Sequence, residues 1–168
     1  MIHEFHEWMF QIPLHEYTLT FDDGLYSQYM FFDKLKEINT RKIFFISTNI
    51  VADESIDQSN DIIKCDVAHE LYFNNNDTSH YMKWSQIQNI AATSQCEIGG
   101  HSHNHKRDPG FSVIADTRLM KHTFDKHNLK PRAFCFPYND ESYIYKLILN
   151  NHGFSEFFSK DRVDIYDL

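Results

Sequence analysis

The sequence lacks any long run of apolar residues, and a membrane-spanning helix needs about 20 of them. It also lacks an excess of basic charge, because 24 acidic residues outnumber 16 basic ones and give a formal net charge of -8. These absences disfavour a membrane span and a nucleic-acid partner. Glycine is scarce, at 5 of 168 residues, whereas aromatic residues reach 15%, which favours packed helices and strands in one domain.

The cysteines are few and scattered, at Cys65, Cys96 and Cys135. Their odd number and wide spacing predict neither a disulfide framework nor a cysteine-type zinc site. We expect buried thiols in a reducing compartment. The first ten residues include Glu4 and Glu7 and have no basic region followed by an apolar run. That pattern is unlike a signal peptide, so the expected location is cytoplasmic.

Segments typical of strands alternate with segments typical of helices along the chain. Strand patterns occupy 17–21, 42–48, 96–98, 133–136 and 154–158, and apolar residues with helical spacing lie between them. Such alternation predicts parallel strands with helical crossovers. Five strands are too few for an eight-stranded barrel of about 250 residues. We therefore predict one α/β domain over 1–168, an incomplete or distorted (β/α) barrel, or an open sheet, with about five to seven mostly parallel strands.

One polar insert, at about 50–82, interrupts this alternation. It contains the turn-forming run Asn74-Asn75-Asn76-Asp77, and 62–73 suggests one short helix. A loop this long in a compact domain is usually functional or mobile.

Three polar clusters follow predicted strands: TFDDG at 20–24, HSHNH at 101–105 and FPYND at 136–140. Sites in parallel α/β sheets gather at the carboxyl ends of the strands, so these clusters are expected to meet.

His101 and His105 are four residues apart, and on a helix or tight turn both imidazoles face one way, as a metal requires. A carboxylate from another strand end completes a His-His-Asp set. Asp22 and Asp23 are adjacent, so a regular strand points them to opposite faces, where one can bind metal and the other can move a proton. The alternative for these two residues is a plain turn. His103 is expected to point away from the metal.

TLTFDDG at 18–24 and EIGGHSHNH at 97–105 resemble the motifs of the polysaccharide deacetylases of NodB homology, carbohydrate esterase family 4. KIFFIST at 42–48 resembles that family's second strand, and the likeness runs from about residue 17 to 158. In lacking an export signal, the sequence resembles short deacetylase-like proteins of surface-polysaccharide (O-antigen) gene clusters.

This resemblance implies a metal-dependent site for zinc or another divalent transition metal. It assigns the ligands to Asp23, His101 and His105, and the catalytic base to Asp22. Ser102 would support the histidine loop.

The third motif matches only in part. Pro137 and Tyr138 agree with the family, and the resemblance makes the Tyr138 backbone N–H an oxyanion donor. The arginine expected two residues before the proline is Cys135, and Arg132 has the wrong strand parity to replace it. Asn139 stands where glycine is common.

The family's last motif, a Leu-x-His that carries the general acid, would follow the last strand, but 159–168 contains no histidine. A departing sugar amine needs a proton. We expect it from Asp22 itself or from an insert residue, His69 or His80.

The predicted function is that of a hydrolase of carbon–nitrogen amide bonds, which removes N-acetyl, or O-acetyl, groups from a sugar or polysaccharide precursor. The first alternative is a catalytically reduced, metal-containing carbohydrate-binding module. The second is an aspartate-dependent phosphohydrolase of the haloacid dehalogenase type, whose Asp-x-Asp spacing the sequence lacks at 22–24.

Overall fold

The computed structural model describes residues 1–105 and 112–168 and contains one sheet of five parallel strands in sequential order. The strands are β1 (Leu19–Phe21), β2 (Lys42–Ile46), β3 (Cys96–Gly100), β4 (Ala133–Cys135) and β5 (Glu156–Phe158). The helices are α1 (Tyr26–Met30), α2 (Phe32–Leu35), α3 (Cys65–Asn75), α4 (Trp84–Ala91), α5 (Val113–Lys126) and α6 (Tyr143–Asn151). The sheet curls into a half-barrel, so the predicted incomplete (β/α) barrel is confirmed.

Element boundaries differ from the sequence patterns where local geometry intervenes. The predicted helix after β1 is divided into α1 and α2 at Phe31, whose φ of -103° and ψ of 9° are not helical. The insert contains α3, which extends past the predicted helix and ends at the left-handed residue Asn76. Among the described residues, no helix is both long and apolar enough to cross a bilayer.

The two faces of the sheet bury different side chains. Phe21 and Phe44 stack on the face that the helices cover, with ring centroids 4.3 Å apart. On the other face Phe45 packs with Cys135 and their neighbours inside the half-barrel. A Cβ on Gly99 would lie 2.3 Å from a ring carbon of Phe45, so this close packing needs glycine. Each fully buried phenylalanine contributes about 1.5–3 kcal/mol.

The two chain termini lie along the free side of β1. Ile2 forms a parallel bridge with Phe21, and the Ile165 backbone N–H donates to the Met1 carbonyl at 3.0 Å. The final segment therefore returns beside the carboxyl end of β1, which brings Arg162 to the mouth of the half-barrel.

At the opposite end of the strands, one arginine links β3 and β5. Arg41 donates to both carboxylate oxygens of Glu97, at 2.7 and 2.9 Å, and to both of Glu156, at 2.6 Å each. Arg41 immediately precedes β2, and β5 lies three strands from β2 in the sheet order. The contact between Arg41 and Glu156 therefore spans the half-barrel and stabilises its curvature.

Candidate active site

The three polar clusters that follow β1, β3 and β4 line one cavity of about 610 Å³ at the carboxyl ends of the strands. Asp22 and Asp23 come from the first cluster, His101 and His105 from the second, and Tyr138 from the third. Both aspartates and both histidines are almost fully buried. Parallel strands bring their carboxyl ends to one edge, which is why three separate segments meet here.

The histidine loop is irregular and not helical. Ser102 and His105 have φ values of 68° and 51°, so the chain turns through left-handed conformations at both residues. The Ser102 hydroxyl accepts the His105 backbone N–H at 3.1 Å, which stabilises this turn. Of the two expected conformations, the chain thus adopts a turn and not a helix, and both imidazoles face the same atom, Asp23 Oδ1. His103 points elsewhere and contacts Thr48 Oγ1 at 2.7 Å.

Asp116 on α5 stabilises the same loop through hydrogen bonds. Its carboxylate accepts the backbone N–H groups of His103 at 2.8 Å and of Asn104 at 2.9 Å, and the Asn104 side chain at 3.1 Å. Asp116 is buried, so these charge-assisted bonds are shielded from water.

Three imidazoles converge on one oxygen, Oδ1 of Asp23. His105 Nε2 lies 2.9 Å from it, His101 Nε2 3.2 Å and His69 Nε2 3.6 Å. The two Nε2 atoms of His101 and His105 are 3.2 Å apart. Asp23 Oδ1 and His69 Nε2 are buried and lack a hydrogen-bond partner of acceptable geometry. Unpaired buried polar atoms are costly, at about 1–3 kcal/mol each, and a cation between them satisfies the whole group. The residues thus fit a divalent metal bound by Asp23, His101 and His105.

The orientation of His101 suits a ligand. Its Nδ1 lies 2.8 Å from the carbonyl oxygen of Cys135, to which Nδ1–H donates. That hydrogen bond leaves Nε2 as the ring nitrogen that faces Asp23 and is available to a metal. A backbone carbonyl at the end of β4 therefore sets the tautomer of a side chain that follows β3.

Asp23 and His101 shift each other's pKa values in opposite directions. Burial would raise the pKa of Asp23, but the His105 and His101 imidazoles hold it well below its usual value. Burial lowers the pKa of His101, whereas Cys135 and Asp23 raise it, and the net pKa lies well above the usual value.

Asp22 pairs with Arg162, which the sequence did not identify as a site residue. Arg162 donates to Asp22 Oδ1 at 2.6 Å and to Oδ2 at 2.7 Å; Asp22 is buried, and the Arg162 side chain is only 10% exposed. Burial would raise the pKa of Asp22, but the hydrogen bonds and charge of Arg162 outweigh it and the pKa is lowered. The Arg162 guanidinium also contacts Cys135 Sγ at 2.9 Å, at the position where the family motif predicts an arginine.

Asp22 and Asp23 do not lie on opposite faces of a regular strand, which was the geometry predicted for their two separate roles. β1 ends at Phe21, and Asp23 has a left-handed φ of 72°, so Asp22 and Asp23 are not on a regular strand. Both face the cavity, and they differ in their partners: Asp22 contacts Arg162, and Asp23 contacts the imidazoles.

The second oxygen of Asp23, Oδ2, has its own neighbours. The Cys65 thiol donates to it at 3.1 Å, and His3 Nε2 lies 3.8 Å away. Cys65 is therefore more than the buried thiol expected from the sequence, and it is only half-buried. His3 belongs to no motif, and the bridge from its neighbour Ile2 to β1, which brings it to the site, is visible only in the structure.

The two insert histidines differ in position. His69, on α3, lines the cavity, and its ring stacks on His105 at a centroid distance of 4.4 Å. Burial lowers the pKa of His69 to about 4. His80 lies outside this cavity and lines a small depression with Leu25 and Ser59.

Tyr138 lies at the cavity rim in a left-handed conformation, with φ of 56°. Its ring centroid is 4.9 Å from that of His105, and its hydroxyl donates to the His105 carbonyl at 3.3 Å. The strand end of β4 therefore also braces the histidine loop.

The fold is similar to that of several solved deacetylase structures. IcaB from Ammonifex degensii is 25% identical, with a TM-score of 0.63 over 84% of this chain and 58% of that one. The BpsB deacetylase domain from Bordetella bronchiseptica is 18% identical, with a TM-score of 0.66 over 87% and 64%. Wild-type BA3943, a carbohydrate esterase family 4 pseudoenzyme from Bacillus anthracis, is 15% identical, with a TM-score of 0.55 over 84% and 42%.

The chain thus spans about three fifths of the length of the first two structures. A search of curated protein sequences gives no significant match. The polysaccharide deacetylase family model matches residues 14–157, which include all three strand-end clusters. With most of its length matched and the motif residues gathered in one cavity, the chain belongs to the polysaccharide deacetylase family.

Proposed function

We propose that this protein is a metal-dependent carbohydrate deacetylase that removes acetyl groups from a sugar or polysaccharide precursor. The observation that carries the proposal is the group around Asp23 Oδ1, where His101 and His105 approach within 3.2 Å at the floor of an open cavity. Family membership supports the deacetylase chemistry and leaves no ground for the phosphohydrolase alternative.

The ligand set of one carboxylate and two imidazoles suits zinc, with other divalent transition metals as substitutes. A divalent ion bound by Asp23, His101 and His105 supplies Lewis-acid polarisation of the acetyl carbonyl and lowers the pKa of a water toward about 7. Ser102 holds the loop that carries both imidazoles.

Asp22 acts as the base that accepts the proton of the attacking water. Arg162 keeps this carboxylate ionised and fixes its orientation, because it binds both oxygens. Each carboxylate oxygen has a second lone pair, so one remains for the water proton. The Tyr138 backbone N–H is assigned, from the family motif, to the oxyanion that develops on the acetyl group.

The proton donor to the leaving amine is assigned to His3. It lies next to Asp23 Oδ2, on the side of the carboxylate away from the ligand atoms, and it lines the cavity. The sequence-based candidate His69 approaches Oδ1 together with the other imidazoles. His80, the second sequence-based candidate, does not line the cavity.

The cavity wall suits a hydroxyl-rich substrate. Its lining includes charged groups of both signs, such as Glu4, Lys64 and Asp164. Tyr138 and Tyr166 line the same cavity and are about half exposed, at 49% and 55%, so each can present an aromatic face to a sugar ring. The cytoplasmic location and the link to O-antigen synthesis stay predictions.

The test is acetate release by zinc-loaded protein from N-acetylated sugar oligomers and from O-acetylated sugars. Cleavage of an amide yields one free amine per acetate, whereas cleavage of an ester yields one sugar hydroxyl per acetate and no amine. Zinc-loaded Asp22→Asn is the matched control, and we expect turnover to fall by about 10²–10⁴-fold. A protein that holds about one zinc per chain and releases no acetate from either substrate would contradict the proposal.

That negative result would favour the second candidate, a metal-containing carbohydrate-binding module. The specific observation behind it is the structural similarity to BA3943, which is a pseudoenzyme. Binding of acetylated oligosaccharides without turnover would identify this case.

A further inference from the structure

The wall of the cavity includes a histidine that none of the strand-end motifs contains. His69 lies in the first turns of α3, within the polar insert, and its Nε2 is buried without a hydrogen-bond partner. The same is true of Asp23 Oδ1, which lies 3.6 Å away. Two buried orphan atoms that face each other, one an anionic oxygen and one a nitrogen, indicate a missing cation between them.

We propose that His69 is a fourth protein ligand of the metal, delivered by α3 to the centre formed by Asp23, His101 and His105. The inference rests on the proposed function for the existence of that centre. The inference goes beyond the proposed function because it adds a ligand from the insert to a metal site whose other ligands follow strand ends.

The separations from Asp23 Oδ1 are close to those between the ligands of a tetrahedral zinc. Ligands at about 2.0–2.1 Å from zinc lie about 3.3–3.4 Å from one another in a regular tetrahedron. The measured separations from Asp23 Oδ1 are 2.9 Å to His105, 3.2 Å to His101 and 3.6 Å to His69. The ligand atoms of Asp23, His69 and His105 also lie within 4.8 Å of one another.

The choice of oxygen separates His69 from His3. The Nε2 atoms of His69, His101 and His105 all approach Asp23 Oδ1, whereas His3 approaches Oδ2. A further ligand must lie near the carboxylate oxygen that faces the metal, as the other ligand nitrogens do, whereas a proton donor need not. His69 therefore belongs with the ligands.

Other contacts hold α3 in place for this role. The Cys65 backbone N–H, at the start of α3, donates to Glu4 Oε2 at 3.3 Å. Ile50, Ala68 and Tyr81 form a buried cluster beneath the helix. Four protein ligands would complete a tetrahedral zinc centre, so binding of both a water and the acetyl carbonyl would require His69 to withdraw or the coordination number to rise.

The experiment measures metal affinity, by zinc competition with a chromogenic chelator, for wild type, His69→Ala and His69→Phe. The phenyl ring of His69→Phe preserves stacking on His105 and Phe73 but cannot bind metal. We expect both variants to bind zinc at least about 100-fold more weakly, since loss of even an outer partner costs about 10–100-fold. X-ray absorption of the zinc-loaded proteins should give three imidazoles in wild type and two in each variant.

His80→Ala is the matched control in the same insert and should bind zinc like wild type. Equal melting temperatures of the metal-free proteins show that folding is intact. Wild-type zinc affinity in both His69 variants, or restoration by His69→Phe alone, would overturn the proposal. If the metal centre exists, Asp23→Ala should abolish zinc binding whether or not His69 is a ligand. Zinc binding that is lost in Asp23→Ala but unchanged in the His69 variants would therefore refute only the role of His69, and not the metal centre.

Discussion

Arg162 and Asp22 are 140 positions apart in the chain, yet they form a bidentate ion pair with N–O distances of 2.6 and 2.7 Å inside the mouth of the half-barrel. The arginine comes from the segment after β5 and replaces one that the family motif places two residues before Pro137. Cys135, which occupies that motif position, contacts the same guanidinium at 2.9 Å. A guanidinium thus lies beside Asp22, the proposed base, and it comes from a different part of the sequence than the family motif predicts.

Removing this arginine should damage both stability and catalysis. Arg162→Met leaves the buried Asp22 carboxylate unpaired, which costs about 3–5 kcal/mol of unfolding free energy. The double variant Asp22→Asn/Arg162→Met should recover much of that stability, and acetate release should stay low. Urea unfolding and turnover measure the two effects. The exposed Arg132→Met is the control, and a similar loss for Arg132 and Arg162 would contradict the pairing.

The two adjacent aspartates should separate metal binding from turnover. Asp22→Asn should keep about one zinc per chain, because Asp22 faces Arg162, and should lose about 10²–10⁴-fold in turnover. Asp23→Asn should lose zinc, because Asp23 Oδ1 is the oxygen that the imidazoles face. Elemental analysis and acetate release give the two readouts. Equal zinc content in both variants would refute the division of roles.

His3 should matter most when the leaving group is a poor one. An N-acetyl sugar needs a proton donor for its amine, whereas an activated aryl ester does not. His3→Ala is therefore expected to reduce amide turnover by about 10²-fold or more and to change ester turnover little. His15→Ala, an exposed histidine of the same N-terminal region, is the control. Equal losses on both substrates would indicate that His3 does not act as the acid.

Asp116 should position the histidine loop without touching substrate. Asp116→Ala removes three hydrogen bonds to His103 and Asn104, and we expect a loss of about 1–3 kcal/mol in unfolding free energy. Zinc affinity should fall as well, since His105 lies in the same loop. Asp125→Ala, on the exposed side of α5, should cost at most about 0.5 kcal/mol, through its pair with Lys121. Unchanged zinc affinity in Asp116→Ala would remove the positioning role.

The Arg41 contact should make stability depend on acidic pH. Arg41 hydrogen bonds lower the pKa of Glu156 below its usual value, so Glu156 stabilises the fold above its unfolded pKa. That contribution is lost as the pH falls through the folded pKa. Glu156→Gln should be about 0.5–1 kcal/mol less stable than wild type at pH 7, a value limited by solvent exposure. The difference should shrink below about pH 4.5 and in high salt. A constant difference down to pH 3 would contradict this account.

Local patterns in the sequence predicted most elements of the fold. Apolar spacing located α4 and α5, and the short β-rich runs located all five strands within a few residues. Helical spacing missed the break at Phe31, because a change of φ and ψ at one residue leaves no trace in periodicity. The i, i+4 spacing of His101 and His105 correctly indicated convergence, but the loop achieves it through left-handed residues and not through a helix.

The parallel α/β architecture and the polar clusters at its strand ends could be predicted from the amino-acid sequence, because alternating periodicities and turn signals are local properties of the chain. Three distant groups of the site, Arg162, His3 and Cys65, became apparent only from the tertiary structure, which also distinguished His69 from His80. Their contacts depend on how the termini close beside β1 and how α3 packs over the cavity. Such contacts join positions from 20 to 140 residues apart, and no local spacing rule reports them.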